Sequence, residues 1–157
     1  MENKQNSQIS TSAETMELLL DTLSWLDCRQ VDSPDDSIRM FYSGEGFILF
    51  VDDRNVRIWD PAWSHVTSNS TELWLMREAI NITNERCRPT VILSVPDGND
   101  IIHIHCKYYL MLYPSCTDNV EILMEALDSF FTTKQFLKQC SYDLFVTHVK
   151  NHKKDAQ

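Results

Sequence analysis

The sequence predicts an α+β domain in which helices cover an antiparallel five-stranded sheet, in the order α-β-β-β-α-β-β-α. Three strand signals follow one another through tight turns over residues 38–59, and strands joined in this way run antiparallel. A second pair of strands surrounds Asp97-Gly98, which is a strong hairpin signal. Amphipathic helical patterns lie before, between and after these two strand groups.

The first helix is predicted from about Ser12 to Cys28. Thr11 and Glu14 have the spacing of a capping box, in which the hydroxyl and the carboxylate satisfy backbone N–H groups of the first turn. Its apolar stripe repeats at helical spacing: Met16, Leu19, Leu20, Leu23 and Leu26. The polar residues 1–11 are expected to be a disordered lead-in, and an acidic loop over residues 32–36 is expected after the helix.

The three strands of the first group differ in their patterns. Residues 38–42 alternate between an apolar and a mixed face, and residues 47–51 are apolar on both faces, as a central strand is. Residues 56–59 form the third strand, which Pro61 is expected to end because proline cannot donate to a strand ladder.

The second helix is predicted to begin near Asn69 or Ser70 and to end before Pro89. Strands at Thr90–Val95 and Asp100–Leu112 then form the hairpin.

Two helical segments are expected after the hairpin, one from Asp118 to Phe131 and the other around Thr133–Lys150. The pattern predicts one domain over residues 12–150, followed by a basic tail at residues 151–157.

Charge and composition exclude several classes of partner. The chain has 14 basic and 23 acidic residues, a net charge of −9, which argues against nucleic acid and favours basic partners. Its 3 glycines are too few for a glycine-rich phosphate loop. The apolar runs are too short to span a membrane, and the N-terminus lacks the apolar region of a signal peptide. Five cysteines without a CxxC pair favour free thiols in the cytoplasm.

Several motifs over residues 12–137 resemble a known group of proteins. They are Phe41-Tyr42-Ser43-Gly44-Glu45-Gly46, Val56-Arg57-Ile58-Trp59-Asp60 followed by Trp63, Asn81-Ile82-Thr83-Asn84, and Phe130-Phe131. Their order resembles the type III secretion chaperone-like fold, and specifically the YbjN-type group of small acidic bacterial proteins. This resemblance implies protein–protein binding and a homodimer, and it implies no catalytic residues and no cofactor.

One face of the predicted sheet combines large aromatic side chains with arginine, a composition typical of protein interfaces. The candidate partner-binding residues are Phe41, Phe50, Arg57, Trp59 and Tyr109. In the alternative, the central helix covers this face and makes it a second core; its covering residues would be Leu73, Trp74 and Met76. The leading hypothesis is a non-enzymatic, chaperone-like protein-binding module.

An enzyme is the main alternative function. His103 and His105 share one face of a strand and would need a third zinc ligand, for which His65 is the nearest candidate. No carboxylate is expected at a spacing that would orient either ring, so we expect neither histidine to bind metal or catalyse. Cys116 is the cysteine best placed near a helix N-terminus. The positive end of a helix lowers the pKa of a nearby thiol, as a thiol enzyme requires of its nucleophile. A regulator that senses a small molecule in the sheet concavity is the third possibility.

Overall fold

The computed structural model describes residues 2–31, 37–68 and 71–155, with side chains described within residues 12–153, and these ranges contain three helices and six strands. In chain order they are α1 (Glu2–Ser24), β1 (Cys28–Val31), β2 (Ser37–Tyr42), β3 (Glu45–Asp52), β4 (Asn55–Thr67), α2 (Thr71–Arg86), β5 (Thr90–Leu93), β6 (Ile101–Met111) and α3 (Asn119–Asp155). The predicted acidic loop and the predicted cap at Asn69 or Ser70 lie outside the described residues.

The strands form one sheet in the order β1-β2-β3-β4-β6-β5. Strands β1 to β4 are a meander with antiparallel pairing throughout, in which Met40 lies opposite Phe47 and Leu49 lies opposite Ile58. Strands β5 and β6 return through the expected hairpin, where the Asp97 N–H donates to the carbonyl of Ile101 at 2.9 Å. The predicted α+β class with an antiparallel sheet is therefore confirmed.

The sheet has six strands, whereas the sequence predicts five. Helix α1 ends at Ser24, four residues before the predicted end, and Cys28–Val31 then pairs with β2. This edge strand has three exposed residues out of its four, so it has no alternation of buried and exposed positions. Its identity comes from backbone pairing with β2, which hydrophobic periodicity does not report.

Strand β4 continues through Pro61 to Thr67, although the proline was expected to end it. Ala62 has a φ of 50°, in the left-handed region, and such an irregular residue is typical of a bulge in a strand. Its N–H donates to the side chain of His105, Nδ1, at 3.0 Å instead of to a backbone carbonyl. A side-chain acceptor thus lets the strand pass a residue at which the ladder is interrupted.

Two helices are longer than the sequence patterns predict. Helix α1 begins at Glu2, so the expected lead-in at residues 2–11 is helical and the predicted capping box lies inside the helix. Helix α3 is one continuous element of 37 residues where two segments were expected. Neither Gly nor Pro interrupts residues 119–155. Thr133 fits mid-helix because its hydroxyl donates to the carbonyl of Ser129 at 2.8 Å.

The chain divides into two compact units, one formed by Met1–Pro61 with Lys107–Asp128 and the other by Ala62–Cys106 with Ser129–Gln157. The core of the first unit contains side chains that are at most 1% exposed: Leu19, Leu23, Met40, Phe47, Leu49, Val56, Ile58, Leu123 and Leu127. The second unit has its own core, with equally buried Ala79, Val91, Ile104, Cys106, Phe130 and Leu137.

Candidate binding surface

The sheet face opposite the core of the first unit carries the aromatic residues predicted for an interface. Directly paired residues of antiparallel strands share a face. The register pairs Phe50 with Arg57 and Trp59 with Ile48, and Phe41 alternates with the buried Met40 on β2.

Strand β6 also contributes side chains to this face, because its buried and exposed residues alternate in the same way. Tyr109 lies next to Leu110, which is 7% exposed, so its side chain projects away from the core. Lys107 is two residues earlier and therefore projects to the same side as Tyr109.

This face is open. The exposed fraction is 41% for Phe41 and 49% for Tyr109, while Phe50, Arg57 and Trp59 are half-buried. Aromatic side chains in a second core would be buried, as the side chains on the opposite face are.

The exposure of Trp74 also argues against the alternative of a second core, in which Trp74 would be one of the covering residues. It is 58% exposed itself, and its ring neighbour is His148, at 6.3 Å between centroids.

Each of three aromatic rings on this face has a basic side chain over it. The guanidinium carbon of Arg57 lies 4.4 Å from the ring centroid of Phe50, and that of Arg29 lies 4.7 Å from the ring of Phe41. The ammonium of Lys107 is 5.8 Å from the ring of Tyr109. These are cation–π distances, and exposed interactions of this kind are worth roughly 0.5–1 kcal/mol each.

We define the aromatic face by its members on five strands: Arg29, Arg39, Phe41, Phe50, Arg57, Trp59, Lys107 and Tyr109. The rings of Phe50 and Trp59 lie 6.3 Å apart at a tilt of 38°. Sequence reasoning predicted five of these residues for this face: Phe41, Phe50, Arg57, Trp59 and Tyr109. Arg29 was missed because no strand was predicted over residues 28–31. Four basic and four aromatic side chains thus form a surface suited to binding another molecule.

The three histidines of the enzyme hypothesis come together on the second unit. The His103 ring lies 6.5 Å from that of His65 and 6.4 Å from that of His105, between centroids. A carboxylate does approach them: Asp97 Oδ2 lies 4.0 Å from His103 Nε2 across the hairpin, which is beyond hydrogen-bonding distance. Even so, no group of three or more His, Cys, Asp or Glu side chains within the described ranges has an arrangement that could hold a metal ion.

His105 instead has a structural contact. Its Nδ1 accepts the Ala62 N–H, so this nitrogen must be unprotonated. Burial, together with the charge of His103, lowers the pKa of His105 below its ordinary value. Both effects favour the neutral ring that accepts the Ala62 N–H.

The cysteines are free thiols. Burial, followed by the negative charge of Asp27, raises the pKa of Cys28. A raised pKa reduces the thiolate population that nucleophilic catalysis requires. Cys116, the cysteine of the thiol-enzyme hypothesis, is half-buried and lies in the turn before α3.

No family model matches the sequence, and no curated protein matches it. Among solved structures, the chain is similar to the crystal structure of YbjN, an E. coli protein described as a proposed transcription regulator. The TM-score is 0.55 at 8% sequence identity, over 82% of this chain and 93% of that chain. The fold is YbjN-like. At this identity the likeness concerns the fold alone, and it agrees with the YbjN-type resemblance of the sequence motifs.

Within the part of the chain that the structure describes, no helix has the length and apolar character needed to cross a membrane.

Proposed function

We propose that the protein is a non-enzymatic, chaperone-like binding module that holds an extended segment of another protein on the aromatic face. The observation that supports this is the open state of that face, on which large aromatic side chains remain partly exposed beside arginines. Tyrosine, tryptophan and arginine dominate binding energy at protein interfaces. An aromatic ring loses little conformational entropy when it is covered, since few of its torsions are free.

The charge of the face indicates what the segment contains. Four basic residues lie on the aromatic face of a chain whose net charge is −9. The guanidinium of Arg57 is oriented by stacking on Phe50, and a planar guanidinium binds a carboxylate through two parallel hydrogen bonds. The preferred segment is therefore acidic and apolar. This replaces the basic partner inferred from net charge, because local charge decides which group contacts the surface.

A protein segment fits this surface better than nucleic acid does. Single-stranded nucleic acid also stacks its bases on aromatic side chains beside arginine. A long polyanion, however, is repelled by the chain's net charge of −9, whereas a short peptide with a few carboxylates interacts mainly with the face that it covers.

Binding of two matched peptides tests the proposal. The peptides share their apolar residues, and the polar positions are Glu in one and Lys in the other. We expect the Glu peptide to bind the protein more tightly in fluorescence anisotropy, and Arg57→Ala to weaken it about tenfold, as loss of a charge-assisted hydrogen bond does.

The matched control is Arg77→Ala, which removes an exposed arginine from helix α2 and should leave the affinity unchanged. Preference for the Lys peptide, equal effects of the two substitutions, or tighter binding of a single-stranded oligonucleotide would each contradict the proposal.

We further propose that the protein acts as a homodimer in the bacterial cytoplasm. The sequence resemblance supports the dimer, and five free cysteines are compatible with a reducing compartment. Light scattering should give twice the chain mass of 18.3 kDa at micromolar concentration. A constant mass of one chain across that range would refute the dimer and leave the binding surface to be judged separately.

A further inference from the structure

The second unit contains a groove of about 420 Å³ that the proposed function does not use. Helix α2, the later part of helix α3 and strands β4 and β6 contribute its walls. Apolar side chains make up much of the lining, among them Leu75, Met76, Leu137 and Phe145. Volumes of roughly 300–1,000 Å³ with predominantly apolar walls are typical of small-molecule sites.

A buried donor lies in the lining of this groove. The indole nitrogen of Trp63, Nε1, is inaccessible to solvent and has no hydrogen-bond partner among the described residues. The ammonium of Lys134 lies 5.4 Å from the centroid of the Trp63 ring system; it is itself a donor and cannot satisfy the indole N–H. Buried donors are rarely left unpaired, so an unpaired one indicates a missing acceptor.

Two charged side chains at the groove bear on which acceptor group a ligand would carry. Lys138 lines the groove and is exposed, so a ligand can reach its ammonium. Glu72, on the first turn of α2, also lines the groove. A ligand carboxylate would be attracted to the lysine and repelled by the glutamate, and it offers the indole a strong acceptor.

We propose that this groove binds a small apolar molecule that carries a carboxylate. Its hydrocarbon or aromatic body lies against Leu75, Met76 and Phe145, and its carboxylate pairs with Lys138. Because protein atoms now enclose the Trp63 nitrogen, side chains of the groove wall must shift on binding before the carboxylate can accept from that N–H. The site is independent of the aromatic face, so either proposal can fail without affecting the other.

Three probes of equal chain length test the ligand class: decanoate, decanol and decylamine. Binding is followed by calorimetry and by the indole ¹H–¹⁵N resonance of Trp63. We expect decanoate to bind most tightly and to shift that resonance, because hydrogen bonding changes the environment of the donor. Tightest binding of decylamine would overturn the proposal, since it would make Glu72 the deciding charge. Absence of decanoate binding would overturn it as well.

Two substitutions test the named contacts. Trp63→Phe keeps an aromatic ring and removes the donor, and it should weaken decanoate about tenfold, as loss of a hydrogen bond to a charged group does. Lys138→Met should weaken decanoate and leave decanol unchanged. The control is Trp25→Phe, at a tryptophan that is 76% exposed in the other unit and should have no effect.

A variant that fills the groove provides a second test if Trp63→Phe does not fold. Met76→Trp adds volume at a half-buried position of α2 and keeps the indole of Trp63. It should abolish decanoate binding while its thermal unfolding remains cooperative. Unchanged decanoate affinity in a folded Met76→Trp or Trp63→Phe protein would show adventitious binding and overturn the proposal.

Discussion

Replacing His105 with alanine tests the role of this side chain in strand β4. The substitution removes the acceptor for the Ala62 N–H, a bond of 3.0 Å. A single neutral hydrogen bond contributes about 1 kcal/mol to stability, and this one is at an exposed position where water can replace the acceptor. We therefore expect His105→Ala to lower the free energy of unfolding by about 1 kcal/mol at pH 8.

The effect should depend on pH with a definite sign. Burial, with the charge of His103, lowers the pKa of His105, so protons bind the unfolded state more readily than the folded state. The contribution of His105 is complete above its ordinary pKa of about 6.5 and is lost as the pH falls through the lowered value. Urea unfolding at pH 8 and pH 5 should give a smaller difference between wild type and His105→Ala at the lower pH.

The matched control for this experiment is His65→Ala, at an exposed histidine of the same cluster. It should change stability less than His105→Ala does at pH 8. An equal destabilisation by the two variants, or a gap between wild type and His105→Ala that does not change with pH, would refute the role assigned to the Ala62–His105 bond.

Three further predictions concern stability and reactivity. Asn84→Ala should lower the free energy of unfolding in urea by about 2 kcal/mol, because the Asn84 amide both donates to and accepts from the backbone of Val91. Asn81→Ala, at an exposed position of the same helix, should have little effect, and equal effects of the two substitutions would contradict the prediction. Leu49→Ala, at a fully buried position, should cost about 2–5 kcal/mol in the same assay, and a loss below 1 kcal/mol would contradict the core assignment. The rate of iodoacetamide labelling of Cys28 should reach half its maximum at a pH above the ordinary thiol pKa of 9.0, because burial and the charge of Asp27 raise the pKa of this thiol. A midpoint below that value would contradict the prediction.

The aromatic face was largely predictable because alternation along a strand fixes which side chains share a face. Arg57 and Trp59 alternate with Val56 and Ile58, both fully buried, so the two sides of β4 are distinct in the sequence itself. Whether the face is open was not predictable. That depends on where the helices pack, and the pattern of a helix shows which of its own sides is apolar without showing what lies against it.

The features that the sequence did not predict depend on contacts between distant residues. Strand β1 exists through its pairing with β2, and the continuation of β4 past Pro61 depends on an acceptor 43 residues away from Ala62. The approach of Asp97 to His103 follows from the hairpin, which brings together residues that local spacing treats as separate. The hairpin was predicted, so an alignment of its two arms would have predicted this contact as well.

Site-specific photocrosslinking in the native host cells tests most directly whether the aromatic face binds protein. A photoreactive benzoylphenylalanine replaces Phe41, on the aromatic face, or Tyr142, an exposed aromatic residue on α3. We predict protein adducts at position 41 that decrease when Arg57→Ala is added, and few at position 142. Adducts with nucleic acid at position 41, protein adducts confined to position 142, or adducts at position 41 that are insensitive to Arg57→Ala would contradict the assignment of the aromatic face as a protein-binding surface.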